Sequence, residues 1–391
     1  MKIASRVGSV PPYLFVQISR KIAEKKAQGI EVISFGIGDP DIATPQPILD
    51  ELIDASSDIP NHRYPESEGL PEFRESVSSW YLRRFGVSVD PETEVISLIG
   101  AKEGIGHASF AFVEPGDTAL IPDPGYPVYS VGTLFAGGNA HIMPLKEENN
   151  WLPDLDAIPK EVAKNSTVLW INYPNNPTAA TAEKDFFNDI VSFGLEHDIA
   201  IMHDGCYTEV AFDGYTPSSF LEVDGAKDIC IEFHSLSKTF NMTGWRLGMA
   251  VGNSNLIDKL LKVKSNLDSG VPQAIQHMGI RALNAPLDSV EERNNTYALR
   301  RDKIVSVLNK IGLTVEPPKA SLYIWAKVPD GYTSAEFSEQ VLEETDIFVT
   351  PGTGYGTYGE GYIRLSLTVS DDQLDTAVDR LSSWKIPGPK L

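Results

Sequence analysis

The sequence predicts an α/β fold, a mostly parallel sheet held between helices, followed by a smaller α+β unit. Three observations carry that prediction. Six short apolar runs recur at 95–99, 118–121, 167–171, 199–202, 229–233 and 247–251. Most are near-continuous in Val, Ile, Leu and Met, which is how strands covered on both faces read. Helix-like stretches such as 102–112 and 183–197 lie between them and supply the crossovers of a parallel sheet. After about residue 285 the pattern changes to isolated strands and separately capped helices.

Taken in order, residues 1–44 hold an amphipathic helix near 16–28 and then a Gly/Pro-rich turn, Gly36-Ile-Gly-Asp-Pro40. They do not fit the sheet and are expected to pack on the smaller unit or on a partner subunit. Residues 45–285 form the large unit. Residues 286–391 form the small one, with strands expected at 313–315, 322–328 and 362–367. Two helices there are announced by capping boxes, Thr333-Ser-Ala-Glu336 and Ser370-Asp-Asp-Gln373.

Composition narrows the function. The 391 residues are 42% hydrophobic, enough for a substantial core, and carry a formal net charge of −21. So acidic a chain argues against a nucleic-acid or anionic-membrane partner. No apolar run approaches the ~18 residues of a membrane helix, and the N-terminus lacks a signal-peptide core. Two cysteines, Cys206 and Cys230, exclude a disulfide framework and a Cys-based zinc site, and suit a cytoplasmic protein.

Four segments carry chemistry. In Ser235-Leu-Ser237-Lys238-Thr-Phe-Asn-Met-Thr-Gly-Trp-Arg246, a lysine sits just past a buried strand, with two hydroxyls before it and an arginine after it. Such a lysine is either an exposed loop residue or a Schiff-base lysine beside an anion site. Asp204, in Met202-His-Asp204-Gly-Cys-Tyr207, ends another strand, where parallel sheets place ligands; a helix N-cap is the plainer alternative. Asn172-Tyr-Pro-Asn-Asn176-Pro177-Thr178 follows a third strand and could be a plain Asn-Pro turn. Leu98-Ile-Gly100-Ala101-Lys102 runs from strand to helix and offers free backbone N–H groups to a phosphate. Together they supply a lysine, an acid, a phenol, an amide and a phosphate cradle at one sheet edge. That is the inventory pyridoxal 5′-phosphate (PLP) requires.

On these motifs the chain resembles the fold-type I, class I/II aminotransferases over nearly its whole length. The lysine segment, Asn175-Asn-Pro-Thr178 and Asp204-Gly-Cys-Tyr207 carry the likeness. Within that family it is most similar to the LL-diaminopimelate aminotransferases, through Pro11-Pro-Tyr-Leu-Phe15, Phe35-Gly-Ile-Gly-Asp-Pro-Asp41, Asn241-Met-Thr-Gly-Trp-Arg246 and Asp268-Ser-Gly270. The resemblance implies the PLP-transferase fold, a PLP cofactor and a homodimer with shared active sites. Lys238 would hold the cofactor and shuttle a proton. Asp204 would pair with the pyridine nitrogen, and Tyr207 and Asn176 with the phenolic oxygen. Tyr126, in Asp123-Pro-Gly-Tyr126-Pro127, would stack on the ring. The phosphate would meet the N–H groups of Ala101 and Lys102, then Ser235, Ser237 and Arg246, with Tyr64 reaching in from the neighbouring subunit. Arg364, in Gly361-Tyr-Ile-Arg364-Leu-Ser366, would grip the substrate α-carboxylate beside Asn176, Gly38 and Tyr13.

The substrates implied are an amino acid and a 2-oxo acid, LL-2,6-diaminopimelate and 2-oxoglutarate within the subgroup. Glu66, Glu68, Lys102, Ser269 and Tyr13 are candidates for the distal end of the donor. An aspartate, alanine or aromatic aminotransferase and a PLP-dependent lyase are the rival readings. A non-catalytic PLP-fold regulator would need an appended DNA-binding segment for which no length is left. Gly354-Tyr-Gly356-Thr-Tyr-Gly359 fits a dinucleotide fingerprint, but it runs into a strand and not a helix, so it reads as a loop near the substrate. The seven histidines show no zinc spacing, and His203 and His234 read as packed beside the cofactor strands.

Overall fold

The computed structural model describes residues 1–10 and 14–388. Tyr13 therefore lies outside the described residues. The first strand, β1 (Ile33–Ser34), stands apart from the main sheet. The next seven build it: β2 (Val95–Leu98), β3 (Thr118–Asp123), β4 (Asn139–Pro144), β5 (Ser166–Ile171), β6 (Ala200–Asp204), β7 (Cys230–Ser235) and β8 (Gly248–Gly252). Their spatial order is β2-β8-β7-β6-β5-β3-β4. β8 is antiparallel to both its neighbours, while the other pairs are parallel, so β8 alone runs backwards. The carboxyl ends of β2, β5, β6 and β7 thus share one edge, and β8 begins there.

Alternate residues along each strand feed two cores, as the pleat demands. Val168, Trp170, Met202, Ile231 and Phe233 pack under Ala101, Ile105, Tyr129 and Leu260. Leu169, Ile171, Ile201 and Cys230 pack under Phe73, Val77, Phe187 and Ile190. Each such side chain contributes about 1.5–3 kcal/mol when fully buried. Strand β4 was not foreseen. It is a sheet edge, mostly exposed, and reads Asn-Ala-His-Ile-Met-Pro after two glycines, so it shows no apolar run.

The C-terminal strands are β9 (Tyr323–Lys327), β10 (Ile347–Phe348), β11 (Thr350–Pro351) and β12 (Tyr362–Ser366). β12 lies between β11 and β9, antiparallel to both. The expected strand at 313–315 does not form. Leu313 and Val315 are buried, but the Asn309 side chain serves both the N–H and the carbonyl of Val315, taking the place of a ladder. Thr333 and Glu336 form their capping box. The second box does not form: Ser370 precedes helix Asp371–Ser383, but its hydroxyl reaches only the Gln373 side chain, at 3.4 Å.

The N-terminal segment lies against this part of the chain. A helix spans Leu14–Ala27, and Lys25 near its end bonds Leu342 O and Asp346. β1 pairs in parallel with β10. The strap after it is fastened by Ser366 N–H to Phe35 O (2.9 Å), Thr368 Oγ1 to Ile37 O (3.0 Å) and Arg300 to both oxygens of Asp41. Among the described residues no helix is long and apolar enough to cross a membrane.

Candidate active site

The shared strand edge opens on a cavity of about 420 Å³ lined by Ala101, Lys102, Tyr126, Asn176, Asp204, Tyr207, Ser235, Ser237, Lys238, Arg246 and Gly38. Eleven of the thirteen described site residues singled out from the sequence are in that lining; Arg364 and Tyr64 are not. Ile37, Asp39, Cys206, Thr243 and Tyr323 join them and were not anticipated.

Lys238 follows β7 on a one-turn helix, Leu236–Thr239, whose N-cap Ser235 accepts from Ser237 N–H. Its amine donates to the Gly38 carbonyl at 2.5 Å. Burial pulls that amine down to about 8; Asp39 and Cys206 oppose the fall, and Arg364 and Arg246 add to it. A large share of Lys238 is therefore neutral near pH 8, as a nucleophilic lysine requires. Gly38 is confined by Tyr323, whose hydroxyl occupies the place a Cβ would take.

Asp204 closes β6 and is 4% exposed. Tyr129 O–H donates to its Oδ2 at 2.7 Å and Cys206 N–H to its Oδ1 at 3.3 Å. Burial and the Asp204 charge push the Tyr129 phenol well up, so it stays protonated and donating. Tyr129 lies three residues beyond Tyr126, in the first turn of helix Val128–Ala136, and that nearness was the signal by which the sequence could have offered it. Tyr207 sits with its hydroxyl 3.0 Å from that of Tyr323. Burial first, then Tyr323 and Asp204, hold its phenol well above the ordinary range.

At the opposite end, Gly100 has φ +74 and the Arg246 guanidinium packs where its side chain would be. That places Arg246 against the first turn of helix Ala101–Phe112, with Ser237 Oγ 3.5 Å from its Nη1. Helix N–H groups, two hydroxyls and a guanidinium converge there, which is an anion cradle.

Arg364 projects from β12 with no exposed surface. It donates to Asn176 Oδ1 (2.7 Å) and Gly36 O (2.8 Å) and lies between the rings of Tyr323 (3.9 Å) and Tyr355 (4.6 Å). Its Nε finds no acceptor among the described residues. Its partners are neutral, so a buried cation waits for an anion at the edge of the cavity. Since Arg364 can only donate, Asn176 Oδ1 is taken and its Nδ2 is left to donate.

Tyr64 is not in the cavity. It is 88% exposed and shares a surface groove with Ser269 and Gly270. Of the distal-end candidates among the described residues, Lys102 lines the cavity and Glu66, Glu68 and Ser269 do not. The Gly354–Gly359 loop leads into β12 as the sequence suggested, and docks on Asp123 through the N–H groups of Thr357 and Tyr358. One His/Asp/Glu group among the described residues has ligand spacing, Glu103, His107 and Asp268. The buried Lys264 ammonium, 2.8 Å from Asp268, already supplies its cation.

The cavity suits PLP from end to end: a cradle for its phosphate, a fixed carboxylate across from it, phenol and amide donors on one side, and a partly neutral amine above. The aminotransferase class I and II profile matches residues 30–381. The LL-diaminopimelate aminotransferase of Dehalococcoides mccartyi is 59% identical over 385 residues, covering 98% of this chain and 99% of that one. The enzyme of the same name from Moorella thermoacetica is 51% identical, covering 97% and 98%. Apo-BacF from Bacillus subtilis superposes with a TM-score of 0.95 at 35% identity, covering 99% of each chain. Lysine, carboxylate and anion cradle on this fold, and these likenesses, lead to one conclusion: the chain belongs to the class I and II aminotransferases and is a PLP-dependent enzyme.

Proposed function

We propose that the chain moves an amino group from LL-2,6-diaminopimelate to 2-oxoglutarate, a step of lysine biosynthesis. The observation that carries this reading is identity of 50–59% over nearly the full chain to relatives bearing that name.

The residues divide the work. PLP supplies an electron sink for the charge that develops when the substrate Cα loses its proton. Lys238 would attach the cofactor, then take the proton from Cα and return it on the far side of the transfer. Asp204, fixed by Tyr129, would hold the pyridine nitrogen protonated. Tyr207, protonated, and Asn176 through Nδ2 would donate to the phenolic oxygen, with Tyr126 against the ring face. Ala101 and Lys102 N–H, Ser235, Ser237 and Arg246 would hold the phosphate. Arg364 would take the α-carboxylate in a two-pronged grip, with Gly38 nearby. Tyr64, exposed on each protomer, would complete the site of a second copy, which makes a homodimer the working unit of a cytoplasmic enzyme. We place the cofactor-binding unit at 45–285, which contains the whole seven-stranded sheet.

Purified enzyme given 2-oxoglutarate and, in turn, LL-diaminopimelate, aspartate, alanine and phenylalanine tests the substrate. Glutamate should form fastest with LL-diaminopimelate. No glutamate from that donor ends the substrate assignment, and ammonia release without a 2-oxo acid would favour a lyase.

A further inference from the structure

The helix Asp288–Lys310 carries Arg293, which is 3% exposed. Its guanidinium donates to the backbone carbonyls of Lys238 (2.5 Å), Thr239 and Glu209 (2.5 Å). Asn294, next along the helix, donates to the same Glu209 carbonyl at 3.0 Å, and its Oδ1 accepts from Arg293 at 2.8 Å. The first two carbonyls end the one-turn helix that presents Lys238. The third ends the turn at 206–209 that presents Tyr207.

A helix end leaves carbonyls without donors from its own helix, and a cation is favourable there. Here one guanidinium caps that helix end and the neighbouring turn together. Its planar fork suits the task, since several donors point in fixed directions. Among the described residues no carboxylate pairs with Arg293: that of Glu209 pairs with Arg84 at 2.9 Å. Burial pulls the guanidinium down to about 10, with Tyr297 and Glu209 opposing, so it is charged at neutral pH. A buried cation whose hydrogen bonds go only to neutral oxygens adds little net stability. Its consequence is geometric.

We propose that Arg293 is a positioning residue that locks the Lys238 turn to the Tyr207 turn, so that amine and phenol keep one spacing across the cofactor. The idea rests on the roles given above to Lys238 and Tyr207. A shift of about 1 Å in a reacting group can lower a rate about 100-fold.

Hydrogen exchange of the cofactor-free protein reads the two turns without any chemistry. In Arg293→Ala, amides at 236–240 and 206–210 should exchange at least about tenfold faster while the rest of the helix stays protected. In the holoenzyme kcat should fall about 100-fold with KM changed less than about threefold. Methylguanidinium, filling the vacated space, should restore at least about a tenth of the lost rate. Should that variant fail to fold, Arg293→Lys decides. It keeps the charge but reaches one turn at a time, so exchange must rise in at least one turn. Unchanged exchange in both turns overturns the proposal, as does faster exchange with unchanged kcat. Loosening of the whole helix without rescue also overturns it, because that marks a merely structural arginine. A wrong amino donor would leave the exchange results untouched.

Discussion

The cluster around Glu232 on β7 and the cavity beyond the carboxyl ends of β6 and β7 treat charge in opposite ways. Glu232 has no exposed surface and accepts five hydrogen bonds, from Tyr81, Ser219, His203, His234 and the Phe220 N–H. Burial pushes its carboxyl up, but His203 and His234 outweigh that and hold it well below the ordinary range. His203 passes the arrangement on by meeting the Tyr173 carbonyl at 3.1 Å. At the cavity, Lys238, Arg246 and Arg364 each meet only one or two acceptors among the described residues, all of them neutral. Charge thus serves two ends. Where every donor and acceptor is matched, the cluster holds the fold; where cations meet only neutral oxygens, the site is suited to an anionic group.

The largest expected effect breaks the matched side. Glu232→Leu leaves two buried histidines, a tyrosine and a serine without their acceptor, and should lower unfolding free energy by about 3–5 kcal/mol in denaturant titration. A loss under about 1 kcal/mol would mean the cluster is incidental. Next comes the unmatched side. Arg364→Leu should reduce kcat/KM for donor and acceptor alike by about 100-fold, since both bring an α-carboxylate. Stability should hold or rise, because an unneutralised cation is removed. An unaltered KM for both substrates would take Arg364 out of the site.

The same contrast explains what was legible in the sequence. The buried strands showed as apolar runs because both faces are covered, and the edge strand β4 did not because it is half in solvent. The small-unit segment at 313–315 was apolar enough to pass for a strand, but apolarity reports burial, not pairing. In the site, Lys238, Asp204 and Asn176 were legible because each stands at or just past the end of a strand within a short motif. Tyr323 and Arg293 were not. Tyr323 looks like any strand aromatic until β12 and the N-terminal strap are brought beside it. Arg293 is one of three arginines within nine residues of a long helix. Only the fold reveals that its hydrogen bonds end on the backbone of Lys238.

The smallest effect is the most diagnostic, because its sign is opposite to that of Glu232. The Lys238 amine titrates at about 8 in the folded chain against an ordinary 10.5. Between those values the unfolded chain holds a proton that the folded chain has released. Unfolding then takes up a proton, so native stability rises with pH across that window, and below pH 8 the full penalty of burying the charge is present. Lys238→Met removes the titration while keeping a stem of similar length. In cofactor-free protein it should be more stable than the parent by about 1–3 kcal/mol at pH 7. Loss of the hydrogen bond to Gly38 offsets part of the gain. The advantage should shrink steadily as pH rises from 8 toward 10.5. Paired unfolding curves at pH 7 and 10 measure it. A difference that stays constant between those two conditions would mean that Lys238 keeps its proton on folding, and that the amine is not poised by burial at all.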